Sequence, residues 1–225
     1  MSTELLKRIS TSFVLVSLLS LVFFYNYILV VSLIILSLIS WIEFSSLISK
    51  IYKKDNFKFT FLKLSIKALS LLYLFLFSVL IFKGISQVNP NFKLNILYLF
   101  LICICSDVGG LIFGKTFKGM KLTKISPNKT ISGSLGSFVL SLTLVPIFYY
   151  FFNIFNNLFD LIFISILVSF SCQLGDLFIS YLKRKAKVKD TSNILPGHGG
   201  LLDRIDGMLF AIPVGVFIWK LLISN

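Results

Sequence analysis

Long apolar runs separated by short polar ones set the rhythm of this chain. With boundaries loose by several residues, the runs fall at 9–25, 28–49, 64–83, 94–112, 133–152, 158–180 and 207–223. Each approaches the roughly 20 residues that an α-helix needs to cross a bilayer. The expected fold class is therefore all-α: a polytopic integral membrane protein of about seven transmembrane helices. Lys7 and Arg8 precede the first run, as in a signal peptide. That run lacks a clear small-residue cleavage site and a second run follows at once, so it reads as an uncleaved helix. The first two runs are expected to form a hairpin around Tyr25, Asn26 and Tyr27. Two regions follow from the pattern. Residues 1–93 hold the N-terminal helices, and residues 94–225 form a core with polar loops at 113–131 and 181–206.

Composition agrees with the pattern. The chain is 56% hydrophobic and 14% charged, against about 25% charged for a soluble domain. Its mean hydropathy is +0.93. The net charge of +13 would suggest nucleic acid as a partner of a soluble protein. In a membrane protein it has a simpler reading, because basic residues collect in cytoplasmic loops and meet anionic lipid there. With the N-terminus inside, every Lys and Arg except Lys83, Lys93 and Lys220 falls in a cytoplasmic segment. This asymmetry predicts a cytoplasmic N-terminus and an outward C-terminus. No nucleic-acid partner is expected, and the aromatic residues among the lysines of YKKDNFKF read as an interfacial belt. Cys103, Cys105 and Cys172 lie in apolar runs. Their odd number and the absence of a CxxC spacing support neither a disulfide framework nor a zinc site.

The candidate chemistry lies in the acids. Of nine acidic residues, Glu43, Asp107 and Asp176 fall inside apolar runs. A carboxylate at mid-membrane costs about 2.5–3.5 kcal/mol even on insertion scales and normally faces a polar cavity or partner. Each of the three is thus either functional or closer to the interface than the pattern suggests. Asp176, Ser180, Lys183 and Lys187 follow at spacings of four, three and four, which would put them on one helical face. Asp203 and Asp206 would also share a face if helical. Two carboxylates so placed repel unless a cation lies between them, and a divalent metal would satisfy both.

The glycines fit the same chemistry. Pro196, Gly197, Gly199 and Gly200 allow a tight turn and close approach of backbone to ligand, and amides exposed there could cradle a phosphate. Lys183, Arg184, Lys185, Lys187 and Lys189 add positive charge just before the turn. Alone, that string reads as a topology and headgroup signal. Together with the acids and glycines it suggests phosphoryl or nucleotidyl transfer at the cytoplasmic surface. His198, the single histidine, either serves a phosphate as donor or acid/base, or simply holds the turn. A second basic, glycine-bearing segment spans 113–137 and contains SPNKTISGS. It is not a P-loop, and no GxSxG, HExxH or GxGxxG occurs.

The run SYLKRKAKVKDTSNILPGHGGLLDRID, residues 180–206, resembles the signature of the phosphatidate cytidylyltransferases, the CDP-diacylglycerol synthases. Ser180, Lys183, Arg184, Lys189, Asp190, His198, Gly199, Gly200, Asp203, Arg204 and Asp206 fit it. Gln173, Gly175 and Asp176 before it, and SDVGG, FGK and KISPNKT earlier, fit as well. The resemblance covers roughly residues 100–210. It implies transfer of cytidylyl from CTP to phosphatidic acid, giving CDP-diacylglycerol and pyrophosphate, in the plasma membrane with the site facing the cytoplasm. It implies Mg2+ held by Asp176, Asp203 and Asp206, with Asp107 a weaker candidate. Asp176, Lys183, His198, Asp203, Arg204 and Asp206 would be catalytic. Lys129, Thr130, Ser180, Arg184, Lys189, Gly199 and Gly200 would bind substrate. The partners implied are CTP, phosphatidic acid and membrane lipid, and a homodimer is compatible with the family. The chain departs from the family at Ser132, where an acid is usual, and at Gly110 and Leu111, where an aromatic is often seen. Two alternatives stay open: a CTP-dependent polyprenol or phytol kinase or related lipid cytidylyltransferase, and a transporter whose buried acids carry ions.

Overall fold

The computed structural model describes residues 17, 20–52, 57–86, 90–123, 126, 129–154, 157–195 and 199–223. Among the described residues the helices with both ends described are, in order, α1 (Asn26–Ile51), α2 (Phe57–Ser86), α3 (Pro90–Phe117), α4 (Ile131–Leu142), α5 (Leu144–Phe152), α6 (Leu158–Lys185) and α7 (Leu202–Ile223). Among the described residues the other ordered pairings are isolated bridges, Lys121 with Thr130 and Leu195 with Gly199. The chain is an all-α membrane protein, with six helical spans long and apolar enough to cross a bilayer among the described residues. α4 and α5 together make one of them. The expected run at 9–25 lies mostly outside the described residues, as do Lys7 and Arg8.

Several helices outrun the apolar stretches that predicted them. α2 begins seven residues early, which places Lys58 and Lys63 on helix. α3 continues to Phe117, and α7 starts at Leu202, so Asp203 and Asp206 are helical and three residues apart. Hydropathy marks the part of a helix that lipid covers, whereas the backbone ladder continues into water until something stops it. The run at 133–152 divides at Thr143. There the Thr143 amide donates to the Leu140 carbonyl at 3.3 Å in a tighter turn. Pro146 lies in the first turn of the next helix, where its missing N–H costs nothing.

The chain forms two compact units, residues 1–86 with 182–205, and 87–181 with 206–225. In the first, α1 and α2 pair through buried Leu29, Leu33, Leu74, Phe77 and Ile81. The Ser37 and Ser78 hydroxyls hydrogen-bond at 2.6 Å, and the Trp41 indole donates to the Lys67 carbonyl at 2.9 Å. In the second, small residues let helices approach backbone to backbone. A methyl group at Gly133 of α4 would lie 2.7 Å from the Gly110 carbonyl oxygen of α3, and one at Gly175 of α6 would lie 2.5 Å from the Asp206 carbonyl oxygen of α7. Buried serines tie α4 and α6 to α3. The Ser137 hydroxyl donates to the Ser106 carbonyl at 2.6 Å, and Ser169 donates to the Ser106 hydroxyl at 3.0 Å. Without a hydrophobic drive between helices in lipid, such close packing and interhelical bonding carry association.

Candidate active site

Two lysine–aspartate pairs organise the polar residues, one in each unit. In the second unit, Lys129 immediately precedes the helix cap of α4. The side chain of Thr130 accepts from the Gly133 amide at 3.1 Å and so satisfies one of the free N–H groups of the first turn. The loop entering this cap folds back on itself. The Leu122 amide donates to the Lys129 carbonyl at 2.8 Å and the Ile131 amide to the Met120 carbonyl at 3.0 Å. Ser132, at the position where the family usually has an acid, donates its hydroxyl to the Lys118 carbonyl and bonds the Thr130 hydroxyl at 3.0 Å. A carboxylate could not make the first of these bonds. With the loop held, the Lys129 ammonium sits on Oδ2 of Asp176, and the Ser180 hydroxyl, one turn along α6, donates to Oδ1 at 3.3 Å. Lys129 and Asp176 stay 26% and 32% exposed at their side chains. Lys118 and Lys121 on the same loop, and Lys115 in the last turn of α3, are exposed.

Three further groups of this unit lie around Cys172. Its thiol faces Oδ1 of Asp107 at 3.8 Å, and a methyl group at Gly207 would stand 2.5 Å from its sulfur. Asp107 is exposed and Asp206 is buried. The Asp206 Oδ1 accepts from the Gly207 amide at 2.9 Å.

In the first unit, the Lys183 ammonium donates to Oδ1 of Asp203 at 2.7 Å, with side chains 14% and 7% exposed. The Asp203 Oδ2 accepts from the Thr191 amide at 2.9 Å, the Thr191 hydroxyl at 3.0 Å and the Gly200 amide at 3.2 Å. The contacts are uneven: three crowd Oδ2, while Oδ1 has the ammonium alone. Lys183 is held from its own side as well, because α6 ends in a left-handed turn. Lys187 has φ +56°, its amide donates to the Arg184 carbonyl at 3.0 Å, and the Val188 amide donates to the Lys183 carbonyl at 3.0 Å. This is a Schellman ending with lysine at the glycine position. Lys187 therefore leaves the helical face that the spacing predicts for it. Arg184, Lys189 and Arg204 are exposed, and Gly199 takes φ +81°, a conformation open mainly to glycine. His198, Pro196 and Gly197 lie outside the described residues.

The residue that sequence reasoning left undecided is Glu43. It is 2% exposed and accepts hydrogen bonds from Thr191, Ser192 and the Leu201 and Leu202 amides. Its signal in the sequence was present: an acid on an otherwise apolar helix. Its partners gave none, since Thr191 and Ser192 are ordinary loop residues far along the chain.

The family's chemistry implies a divalent metal, and the residues present fit one unequally. No group of three His, Cys, Asp or Glu is arranged as a metal cage among the described residues. Mg2+ does not need such a cage, because it is commonly held by one or two carboxylates plus substrate phosphates. Asp176, partly exposed and with an ammonium and a hydroxyl as its neighbours, fits that role. Asp203 fits it less well, because the Lys183 ammonium holds Oδ1 and the Thr191 and Gly200 donors crowd Oδ2.

The model of the cytidylyltransferase family matches residues 4–222. Among curated relatives, a phosphatidate cytidylyltransferase of Staphylococcus haemolyticus is 48% identical over 121 residues, 53% of this chain and 46% of its own length. Proteins of the same name from Rickettsia bellii and Rickettsia prowazekii are each 41% identical, over 63% and 61% of this chain and 63% and 62% of theirs. The chain thus spans about half to just under two thirds of the relatives it matches. With the match running nearly end to end, this chain belongs to the cytidylyltransferase family.

Proposed function

We propose that the chain catalyses CTP:phosphatidate cytidylyl transfer. An oxygen of the phosphatidate phosphate bonds to the α-phosphorus of CTP, the bond from that phosphorus to the β-phosphate bridge breaks, and pyrophosphate leaves. The product is CDP-diacylglycerol. The relatives' shared name supports the reaction. The observation that carries it is the partly exposed Lys129–Asp176 pair, set between a capped basic loop and a membrane-spanning helix. A water-soluble triphosphate and a bilayer-anchored phosphate can both reach such a place.

The chemistry asks mostly for charge neutralisation and alignment, since two anions must meet. A phosphate monoester is a competent nucleophile near neutral pH, so no strong base is required. In this reading Asp176 would hold Mg2+, which when bound neutralises phosphate oxygens and the departing pyrophosphate. Lys129, beside the same carboxylate, would serve a substrate phosphate. Ser180 keeps the Asp176 carboxylate oriented. Lys183, Arg184, Lys189 and Arg204 would supply cations to the substrate phosphates, and the Gly199–Gly200 backbone would approach them closely. Asp203 would act by holding Lys183, while Thr130 acts as the cap that places Lys129. The basic loops would face the cytoplasm, and the relatives' bacterial sources favour the plasma membrane.

The test is pyrophosphate release from CTP by purified protein with Mg2+, with and without phosphatidic acid. Release that requires phosphatidic acid and stops with EDTA is the expected result. CDP formed with a free polyprenol, and no pyrophosphate, would overturn it in favour of a kinase.

A further inference from the structure

Glu43 lies within an apolar helix, yet its hydrogen-bond partners among the described residues come from one short segment far along the sequence. Oε1 accepts from the Ser192 hydroxyl at 2.5 Å and the Leu201 amide at 3.0 Å. Oε2 accepts from the Thr191 hydroxyl at 2.8 Å and the Leu202 amide at 2.8 Å. The two amides belong to the start of α7, where N–H groups have no partner within the helix. A carboxylate there is also favoured by the helix dipole. α7 is therefore capped by a side chain of α1. Gly200 allows the approach, because a methyl group there would stand 2.7 Å from Oε2.

The Thr191 hydroxyl extends this contact. It lies 2.8 Å from Glu43 Oε2 and 3.0 Å from Asp203 Oδ2. A hydroxyl has one proton to give, so two carboxylates share a single donor. The arrangement places a carboxylate on both sides of Thr191, and the Lys183 ammonium on the far oxygen of Asp203 offsets one of the two. The series Glu43, Thr191, Asp203, Lys183 is continuous, and each member fixes the next. A helix cap alone would need only the two amides.

We propose that Glu43 is a positioning residue for the phosphate-binding lysine: through Thr191 and Asp203 it sets the place of the Lys183 ammonium. The inference rests on the cytidylyltransferase reading for its catalytic consequence, but not for its structural one. Glu43 touches no substrate in this scheme.

Two readouts separate those consequences. The first is acetylation of lysines in the folded, full-length protein, read by mass spectrometry, with Lys183 compared with exposed Lys187 and Lys115. In the unaltered chain Lys183 is expected to react at least about tenfold more slowly than Lys187, as a buried paired amine does. Thr191→Val keeps the size of the side chain but removes the shared hydroxyl, and Glu43→Gln puts an amide donor against donors. Both are expected to bring Lys183 to within about threefold of Lys187, while Thr191→Ser restores protection and Lys115 stays constant. The second readout is steady-state pyrophosphate release. Thr191→Val is expected to raise the KM for CTP by about tenfold and change kcat by less than about threefold, as lost ground-state binding does. Unchanged Lys183 acetylation in both variants, in protein that remains monodisperse, overturns the proposal. A change in acetylation with a fall in kcat alone overturns the phosphate-binding part. If the unaltered chain releases no pyrophosphate while the acetylation changes occur, the clamp stands and the reaction assignment falls. Should Glu43→Gln fail to fold, Thr191→Val and Thr191→Ser decide the matter.

Discussion

Lys183–Asp203 and Lys129–Asp176 are the same pair of side chains in two settings. In the first, the carboxylate has the ammonium on one oxygen and Thr191 and Gly200 donors on the other, and both partners are nearly buried. In the second, the carboxylate has one ammonium and one hydroxyl, and about a third of it is exposed. The sealed pair has its free energy committed to one geometry, so removing either partner leaves a charge with nowhere to go. The open pair can exchange its cation for another. Identity of residues thus says little about role here, and occupancy of lone pairs says much.

The largest effect should come from breaking the sealed pair. Asp203→Ala leaves the Lys183 ammonium unpaired in a place with little water, which costs about 3–5 kcal/mol. Thermal unfolding in detergent should show a large loss of stability. If Asp203→Ala unfolds like the unaltered protein, the pair is not sealed and the contrast collapses. The open pair should respond in the opposite way. Asp176→Asn is expected to leave the unfolding temperature nearly unchanged, since a partly exposed pair contributes about 1 kcal/mol or less. It should lower pyrophosphate release by about 10²–10³-fold, the scale of losing one preorganised electrostatic group. Normal turnover in that variant would remove Asp176 from the metal.

The membrane helices were legible in the sequence because lipid demands long apolar runs. Their ends were not, because a helix in water stops where its cap is, and caps depend on partners. Asp203 shows the same limit within the site. Its spacing to Asp206 suggested a shared metal face, and both are helical as that spacing requires. What spacing could not show is that Thr191 and Gly200 fill Asp203 from a loop, or that Glu43 reaches the same loop from α1. The Glu43 contacts are far apart in sequence, and the signature that Gly200 fits does not say what its amide meets. Lys129 was legible through its resemblance to the family. Its link to Asp176 was not, since they lie on different elements.

A glycine beside each pair sharpens the comparison further. Gly175 adjoins Asp176, and a methyl group there would meet the rigid Asp206 backbone at 2.5 Å. Gly175→Ala should therefore cost about 1–3 kcal/mol by overpacking and lower turnover through displacement of Asp176. Equal turnover with intact stability would mean that α6 and α7 can separate freely there.

The smallest effect concerns the end of α6, where the sealed lysine is anchored. Lys187 holds φ +56° with two backbone bonds closing the turn around it. A left-handed conformation costs an L-residue with a Cβ about 1–2 kcal/mol, and glycine nothing comparable. Some of that gain is lost because glycine also loses more freedom on folding. Lys187→Gly should thus stabilise the protein by roughly 0.5–1 kcal/mol, seen as a small rise in unfolding temperature. The rise should persist in an Asp176→Asn background and shrink in Asp203→Ala, because only the latter frees the end of α6 from the loop it is paired with. Equal rises in both backgrounds would show that the helix end and the sealed pair are energetically independent.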